Sequence, residues 1–138
     1  MCIDGLNTLE GRMKAVSANA LEIAGALEQR GVPTIYLGLE SHPQYELGQR
    51  QHSGNGGIVA FDLGDMESAL AFLRQSQIPI VANLGLPYHA LSHPASTTHS
   101  RMSPEARLQA GVTDGFVRLS VGTEPTYKVL RAIESVLR

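Results

Sequence analysis

The stretch from Gly115 to Gly122 constrains the fold of this chain more than any other part of the sequence. Between its two glycines lie β-branched, aromatic and leucine residues, a composition that predicts a strand. Successive side chains of a strand point to opposite faces. One face would therefore be apolar and would carry Val117, Leu119 and Val121. Arg118 would project from the opposite face, which places a permanent charge in the middle of the strand.

The strand pattern leaves two roles open for Arg118. The first is an edge-strand arginine whose long side chain carries the guanidinium out to water, as most such charges do. The second is a clamp for a carboxylate, because the guanidinium presents five donors in a rigid fork that matches this anion. The spacing of residues does not separate the two.

Length, charge and cysteine content narrow the class of protein. A chain of 138 residues predicts a single domain, residues 1–138, with a core of its own. A net charge of −2 and an aromatic content of 5% give no basis for binding nucleic acid or an anionic membrane surface. The single cysteine, Cys2, indicates a reducing compartment. Without a basic and then apolar leader or a run of transmembrane length, the sequence predicts a cytoplasmic protein.

Apolar residues at spacings of three and four predict one long helix over residues 7–30. The stripe comprises Leu6, Leu9, Met13, Val16, Ala20, Ala24 and Leu27. Asn7, with Glu10 three residues later, resembles a capping box, and Gly31 provides the stop. The helix is long for so small a domain. Either its first turns extend beyond the domain to contact something else, or the helix spans the whole sheet.

The remaining sequence predicts strands and helices in a small α/β domain. Further strands are expected at 34–37, 58–63 and 78–82, and further helices at 44–51, 65–74, 104–109 and after Pro125. Residues 92–100 are expected to form a loop. Together these elements predict a two-layer sandwich, with a small four-stranded sheet covered by helices mainly on one face.

Catalytic and metal-binding patterns in the sequence are weak. His89 and His93 have the four-residue spacing of zinc ligands on a helix, but Pro94 would break that helix. With His99, they are better explained as loop histidines that hydrogen-bond to the backbone. The glycine loop at 53–57 precedes a strand, which predicts a turn or bulge rather than a phosphate cradle.

The two lysines, Lys14 and Lys128, fall on polar helix faces, where neither gains the environment of a Schiff-base lysine. The residues alone therefore suggest an anion clamp and no catalytic group.

Distinctive segments run in order through nearly the whole chain. They are GLNTL at 5–9, RM at 12–13, GLESHPQ at 38–44, GGIVAF at 56–61, LG at 84–85, HPASTTH at 93–99, PE at 104–105, GVTD at 111–114 and VRLSVG at 117–122. Together these segments resemble the C-terminal domain of the Cys/Met metabolism pyridoxal-phosphate enzymes. This transsulfuration group comprises cystathionine γ-synthases, cystathionine lyases, methionine γ-lyases and O-acylhomoserine sulfhydrylases.

The resemblance implies a domain of fold-type-I pyridoxal-phosphate enzymes that packs against a larger cofactor domain. It implies that Arg118 binds the α-carboxylate of the amino-acid substrate. The residue before Leu84 is usually a serine beside the same carboxylate, whereas here it is Asn83, whose amide can still donate a hydrogen bond. The lysine that binds the cofactor, and the residues that hold its phosphate, would lie upstream. The resemblance thus places no catalytic residue and no covalent cofactor attachment in this chain.

Two functions follow from the resemblance. In the first, the chain is part of a sulfur amino-acid lyase or γ-replacement transferase and is inactive alone, with the cofactor domain, the substrate and further subunits as partners. In the second, it is a free-standing, non-catalytic binding or interaction module that retains the fold. The type of reaction, elimination or replacement at the β or γ carbon, stays open in both.

Overall fold

The protein is described by a computed structural model that covers the backbone of residues 2–136 and the side chains from residue 5 to residue 136. The helices are α1 (Cys2–Asn7), α2 (Leu9–Gln29), α3 (Tyr45–Gln51), α4 (Met66–Gln75), α5 (Pro104–Gln109) and α6 (Tyr127–Val136). The strands are β1 (Thr34–Ile35), β2 (Ile58–Asp62), β3 (Ala90–Ser92) and β4 (Phe116–Ser120), and a 3₁₀ turn spans Pro94–Ser96.

The four strands form one sheet in the order β1-β2-β4-β3, and every neighbouring pair is antiparallel. The strand that carries Arg118 is therefore internal. Arg118 lies opposite Ala60 of β2 on one side and opposite Ser92 of β3 on the other. This register decides which side chains stand beside the guanidinium.

Helices α2, α4 and α6 cover one face of the sheet and enclose the core. Val117 and Leu119 of β4 are fully buried there, together with Val59 of β2 and Leu91 of β3. The helices contribute Ala20, Ile23, Ala24, Leu27, Ala69, Phe72, Leu73, Val129, Ala132 and Ile133. Phe61 and Phe72 meet edge to face, with their ring centroids 5.5 Å apart. The predicted α/β sandwich with a four-stranded sheet is confirmed.

The third strand was predicted in the wrong place. The strand is Ala90–Ser92, whereas residues 78–82 form only an isolated parallel bridge from Ile80 to Leu91. Two hydrogen bonds hold that bridge, from the Val81 amide to the Leu91 carbonyl at 2.9 Å and from the Leu91 amide to the Pro79 carbonyl at 2.8 Å. The segment around Ile80 lies at the margin of the sheet, where Ile80 is 54% exposed. The free edge of β4 is taken by β3 instead, so the strand propensity of residues 78–82 is outweighed by the pairing of β3 with β4.

The first helical segment also differs from the prediction. A helix already begins at Cys2, and a turn at Thr8 separates it from α2. Asn7 is thus the last residue of α1, and the predicted capping box is wrong. Glu10 instead accepts a hydrogen bond from Lys14 at 2.7 Å, one turn further along.

The two halves of the apolar stripe have different environments. Ala20, Ala24 and Leu27 are fully buried, whereas Leu6 is 65% exposed, and Leu9 and Met13 are each 41% exposed. The first turns therefore extend beyond the packed part of the domain. Of the two alternatives for the long helix, this exposure agrees with the one in which its first turns extend beyond the domain.

The glycine loop before β2 is held against α2. The Tyr36 hydroxyl donates to the carbonyls of Ser17 and Gly56, and the Gly56 amide donates to the Ser17 hydroxyl at 3.1 Å. Gly56 has a φ of 74°, a conformation that favours glycine. At Gly57, an added Cβ would collide with Val16 of α2. The segment predicted as a turn or bulge is a loop that bends at Ser53, Gly54 and Gly57, and its glycines serve close packing.

Candidate functional site

The face of the sheet that points away from α2, α4 and α6 is here named the outer face. The register places these side chains on it: Ile35, Ile58, Ala60, Ala90, Ser92, Arg118 and Ser120. On the β1 and β2 side this face is open, since Ile35 is 55% exposed and Ile58 is 42% exposed. On the β3 side it is covered by the chain itself, and Ser92 and Ser120 are only 2% exposed.

Arg118 lies at the boundary between the open and the covered side of the outer face. Its side chain is partly buried, and its Nε and Nη2 atoms are buried without a hydrogen-bond partner in the described part of the chain. A guanidinium stays charged at every relevant pH, so leaving buried donors unpaired is costly. This environment is not that of an arginine that reaches freely into water. Within the described part of the chain, it is that of a cation with two buried donors left unpaired.

Ser92 carries a second buried polar group that no described residue pairs, beside Arg118 on the outer face. It stands directly opposite Arg118 on β3, and its Oγ atom is also buried without a partner among the described residues. The sequence contains no signal that singles out Ser92, because its position beside Arg118 depends on a strand that the periodicity did not predict.

Asn83 and Leu84 lie in the segment that follows the bridge at Ile80. Asn83 is exposed, and its Oδ1 atom accepts a hydrogen bond from the Leu84 amide at 2.8 Å. Leu84 is 59% exposed and lines a cleft of about 290 Å³ together with Ser120 and Ile58 of the outer face. Leu84 thus reaches the face on which Arg118 stands. Arg118 lies two residues before Ser120 on β4, so their Cα atoms are about 7 Å apart by strand geometry.

The structure brings the predicted site residues together only in part. The described lining of the cleft includes Leu84, but it includes neither Arg118 nor Asn83. Met13 of α2 lines the same cleft, so the first turns of the long helix border the outer face. Of the predicted site residues, only Leu84 lines this cleft.

The three histidines contact protein groups. His93 is 1% exposed, with Nδ1 2.8 Å from the Ser96 hydroxyl and Nε2 2.8 Å from the Asp114 carbonyl. His89, also 1% exposed, accepts from the Gly122 amide through Nδ1 at 3.2 Å. The interpretation of His89 and His93 as hydrogen-bonding loop residues is confirmed. His99, the third, has its Nδ1 atom 2.8 Å from the Thr98 hydroxyl.

Glu124 connects the end of the sheet to α6. Burial raises its pKa, but hydrogen bonds from the His89 amide and from Lys128 outweigh burial, and the net pKa lies below the usual range. Asn19 of α2 holds the same segment by donating to the carbonyls of Gly122 and Glu124, each at 3.0 Å. These bonds fix the chain just beyond β4.

The lysines do not fit covalent attachment of pyridoxal phosphate. Lys14 is 75% exposed and pairs with Glu10, and Lys128 is 54% exposed and pairs with Glu124. A Schiff-base lysine needs desolvation or a cationic neighbour, and a nearby carboxylate has the opposite effect on its nucleophilicity. Within residues 2–136, no three metal-ligating side chains come together, and no helix is long and apolar enough to cross a membrane.

Comparison with known families shows to which family this chain belongs. The model of the family described as Cys/Met metabolism PLP-dependent enzyme matches residues 1–138. The chain belongs to this family. The resemblance inferred from the sequence segments is confirmed at the level of the family, whose members depend on pyridoxal phosphate.

Relatives within the Cys/Met metabolism family catalyse different reactions. An O-succinylhomoserine sulfhydrylase from Pseudomonas aeruginosa is 45% identical over 126 residues, which cover 88% of this chain and 31% of the relative. A cystathionine γ-lyase from Bacillus subtilis is 40% identical over 136 residues, which cover 96% of this chain and 36% of the relative.

A solved structure agrees with the fold. A cystathionine γ-synthase from Xanthomonas oryzae pv. oryzae, in complex with cystathionine, superposes with a TM-score of 0.86 at 35% identity over 97% of this chain and 36% of that chain. The chain thus spans about a third of the length of the relatives it matches.

Proposed function

We propose that this chain is the C-terminal part of a pyridoxal-phosphate-dependent enzyme of sulfur amino-acid metabolism, a lyase or a γ-replacement transferase. In this proposal, the outer face of the sheet supplies the site for the α-carboxylate of the substrate. The named relatives act on O-succinylhomoserine and on cystathionine. Both compounds are amino acids with an α-carboxylate, so one carboxylate site serves either reaction.

The observation that supports this proposal most strongly is that the guanidinium of Arg118 has buried donors left unpaired by the described residues. Its Nε and Nη2 atoms are buried on an internal strand and have no partner in the part of the chain that the structure describes. A carboxylate accepts two parallel hydrogen bonds from a guanidinium, which satisfies both the charge and the geometry. Arg118 is thus the candidate clamp for the substrate.

Asn83 and Leu84 are proposed to border the substrate near this clamp. Since the Oδ1 atom of Asn83 already accepts from the Leu84 amide, its Nδ2 group is the donor that this side chain presents. Leu84 offers an exposed apolar side chain at the end of the face that carries Arg118. Together they form a polar and an apolar contact at the rim of the site.

The chemical step belongs to the part of the enzyme outside this chain. When bound there, pyridoxal phosphate supplies the electron sink that sulfur amino-acid chemistry requires. The residues of this chain bind and orient the substrate. Fixing the carboxylate fixes the α-carbon, and correct placement of the reacting atoms is a large part of catalysis.

The exposed apolar side chains of the first turns support a contact with a larger domain. Leu6, Leu9 and Met13 lie on one stripe and are between 41% and 65% exposed. Apolar residues that cluster at a surface mark interaction sites. Relatives about three times as long as this chain have the additional residues to cover such a stripe. We therefore propose the cofactor domain as the partner of this stripe, in an enzyme that is oligomeric.

A free-standing, non-catalytic module is the second candidate function. Its support is the core, because side chains of α2, α4, α6 and the sheet are fully buried by this chain alone. Such a core is consistent with independent folding. The intact mass of the natural protein separates the candidates, since an enzyme of the length of the relatives is about three times heavier than this chain.

The test of the clamp is Arg118→Lys in the full-length holoenzyme. Lysine keeps the charge but loses the two parallel hydrogen bonds, so we expect a loss of about 2–4 kcal/mol in transition-state binding. The loss should affect both KM and kcat, while the spectrum of the bound cofactor stays unchanged. Steady-state kinetics at saturating cofactor measures it.

Arg74→Lys is the matched control, because Arg74 is an exposed arginine in the last turn of α4. It should leave kcat/KM unchanged. A change of less than about threefold for Arg118→Lys, well under the tenfold that 1.4 kcal/mol represents, would show that Arg118 does not bind the substrate.

A further inference from the structure

Two side chains on neighbouring strands of the outer face carry buried polar atoms that no described residue satisfies. They are Arg118, with Nε and Nη2, and Ser92, with Oγ. The two residues are directly opposite each other in the register of β3 and β4. Side chains in such a pair stand on the same face, with Cβ atoms about 5 Å apart. Two unsatisfied groups are thus adjacent.

We propose that Ser92 is a positioning residue, whose hydroxyl accepts a hydrogen bond from Nε of Arg118 when a carboxylate is bound. This inference rests on the proposed function, because it assigns Arg118 to the substrate. Ser92 itself does not contact the substrate. It acts by holding the plane of the guanidinium.

The chemistry of the two groups is complementary. A guanidinium has only donors, and a serine hydroxyl has two lone pairs that accept and a proton that rotates to suit. Of the two residues opposite Arg118, Ala60 and Ser92, only Ser92 has a polar side chain. The burial of Oγ also keeps water from competing for the same bond. Ser92 is therefore the polar side chain that the register of the sheet places beside Arg118.

The proposed bond has a consequence for the ligand. With Nε held by Ser92, the edge formed by Nη1 and Nη2 is left to grip the carboxylate. A guanidinium that is not held loses orientational freedom when the substrate binds, and that loss weakens binding. Ser92 should therefore contribute to the affinity for the substrate and contribute little to the chemical step.

Two substitutions of Ser92 in the full-length holoenzyme test this role. Ser92→Ala removes both the acceptor and the volume of the hydroxyl. Ser92→Cys keeps a similar volume but offers only a weak acceptor, so an effect seen in both variants comes from the lost hydrogen bond. We expect both to raise KM for the amino-acid substrate about tenfold, near the lower end for the loss of one hydrogen bond to a charged group, with kcat within twofold. Ser135→Ala, at an exposed serine of α6, is the matched control and should change neither constant.

Combination with Arg118→Lys shows whether Ser92 acts through Arg118. If it does, Ser92→Ala should change KM by less than about 1.5-fold in the Arg118→Lys background, because interacting residues are not additive. An effect of the same size in both backgrounds would overturn the inference. So would a KM within twofold of wild type for Ser92→Ala and Ser92→Cys while Arg118→Lys shows its full loss, and in that case the clamp itself stands. If Arg118→Lys has no effect, the proposed function fails, and the role of Ser92 fails with it.

Discussion

The two faces of β4 have opposite chemical characters. Val117 and Leu119 point to the helices and are fully buried in the core. Arg118, between them in sequence, points to the outer face and has two nitrogens without a partner among the described residues. Adjacent residues of one strand thus serve two purposes. The inner side chains hold the fold together, whereas the unpaired donors of the outer one cost the fold stability and are the groups proposed above to bind a ligand.

Leu119→Ala should have the largest effect on stability in this comparison. The side chain is fully buried among α2, α4 and α6, so its truncation leaves a cavity and should cost about 3 kcal/mol of the free energy of unfolding. Urea unfolding of wild type and variant measures the difference. Ile58→Ala, at a 42% exposed position of the outer face, is the control and should cost much less. Equal losses at the two positions would show that the outer face is packed as tightly as the core.

A smaller, pH-dependent effect is expected from Tyr36, which belongs to the core side. Burial raises the pKa of Tyr36 to about 12 from a usual value of 10.0. The folded protein therefore keeps the phenol proton to higher pH than the unfolded chain. Tyr36 therefore makes its full contribution to the free energy of unfolding below pH 10, and this contribution is lost as the pH rises towards 12. At pH 11 the free energy of unfolding should have fallen by about 1.4 kcal/mol.

Tyr36→Phe isolates this effect from the other groups that titrate at alkaline pH. Unfolding free energies of both proteins at pH 9 and pH 11 should show a drop in wild type that exceeds the drop in the variant. A drop of the same size in both proteins would contradict the burial of the Tyr36 hydroxyl.

Arg118→Met should have the smallest effect, and it should be of the opposite sign. Methionine fills a similar volume without unpaired donors, so the free energy of unfolding in the absence of substrate should rise by about 1 kcal/mol. Urea unfolding of the substrate-free protein checks this. A loss of stability would mean that Arg118 supports the fold, and the contrast between the two faces of β4 would then disappear.

Several elements of the fold were accessible from local patterns. Helix α4 was predicted at 65–74 and is found at Met66–Gln75, because Asp65 caps it by accepting a hydrogen bond from the Ser68 amide at 2.8 Å. The last helix follows Pro125 as predicted. In these places the signal lies within a few residues of the element that it determines.

Other elements depended on contacts distant in sequence. Residues 78–82 have the composition of a strand and yet form only a marginal bridge, while Ala90–Ser92, which has little strand propensity, pairs with β4. The exposure of Leu6, Leu9 and Met13 likewise does not follow from the apolar stripe, which continues unbroken into the core.

The sequence by itself determined that Arg118 projects away from Val117 and Leu119, because alternation along a strand is a local property of the backbone. It also determined the family, through segments that run along nearly the whole chain. Only the tertiary structure decided that Ser92 stands beside Arg118 and that Leu84 reaches the same face. These neighbours are set by strand order and register, which depend on how distant segments pack together, and no local pattern of residues encodes them.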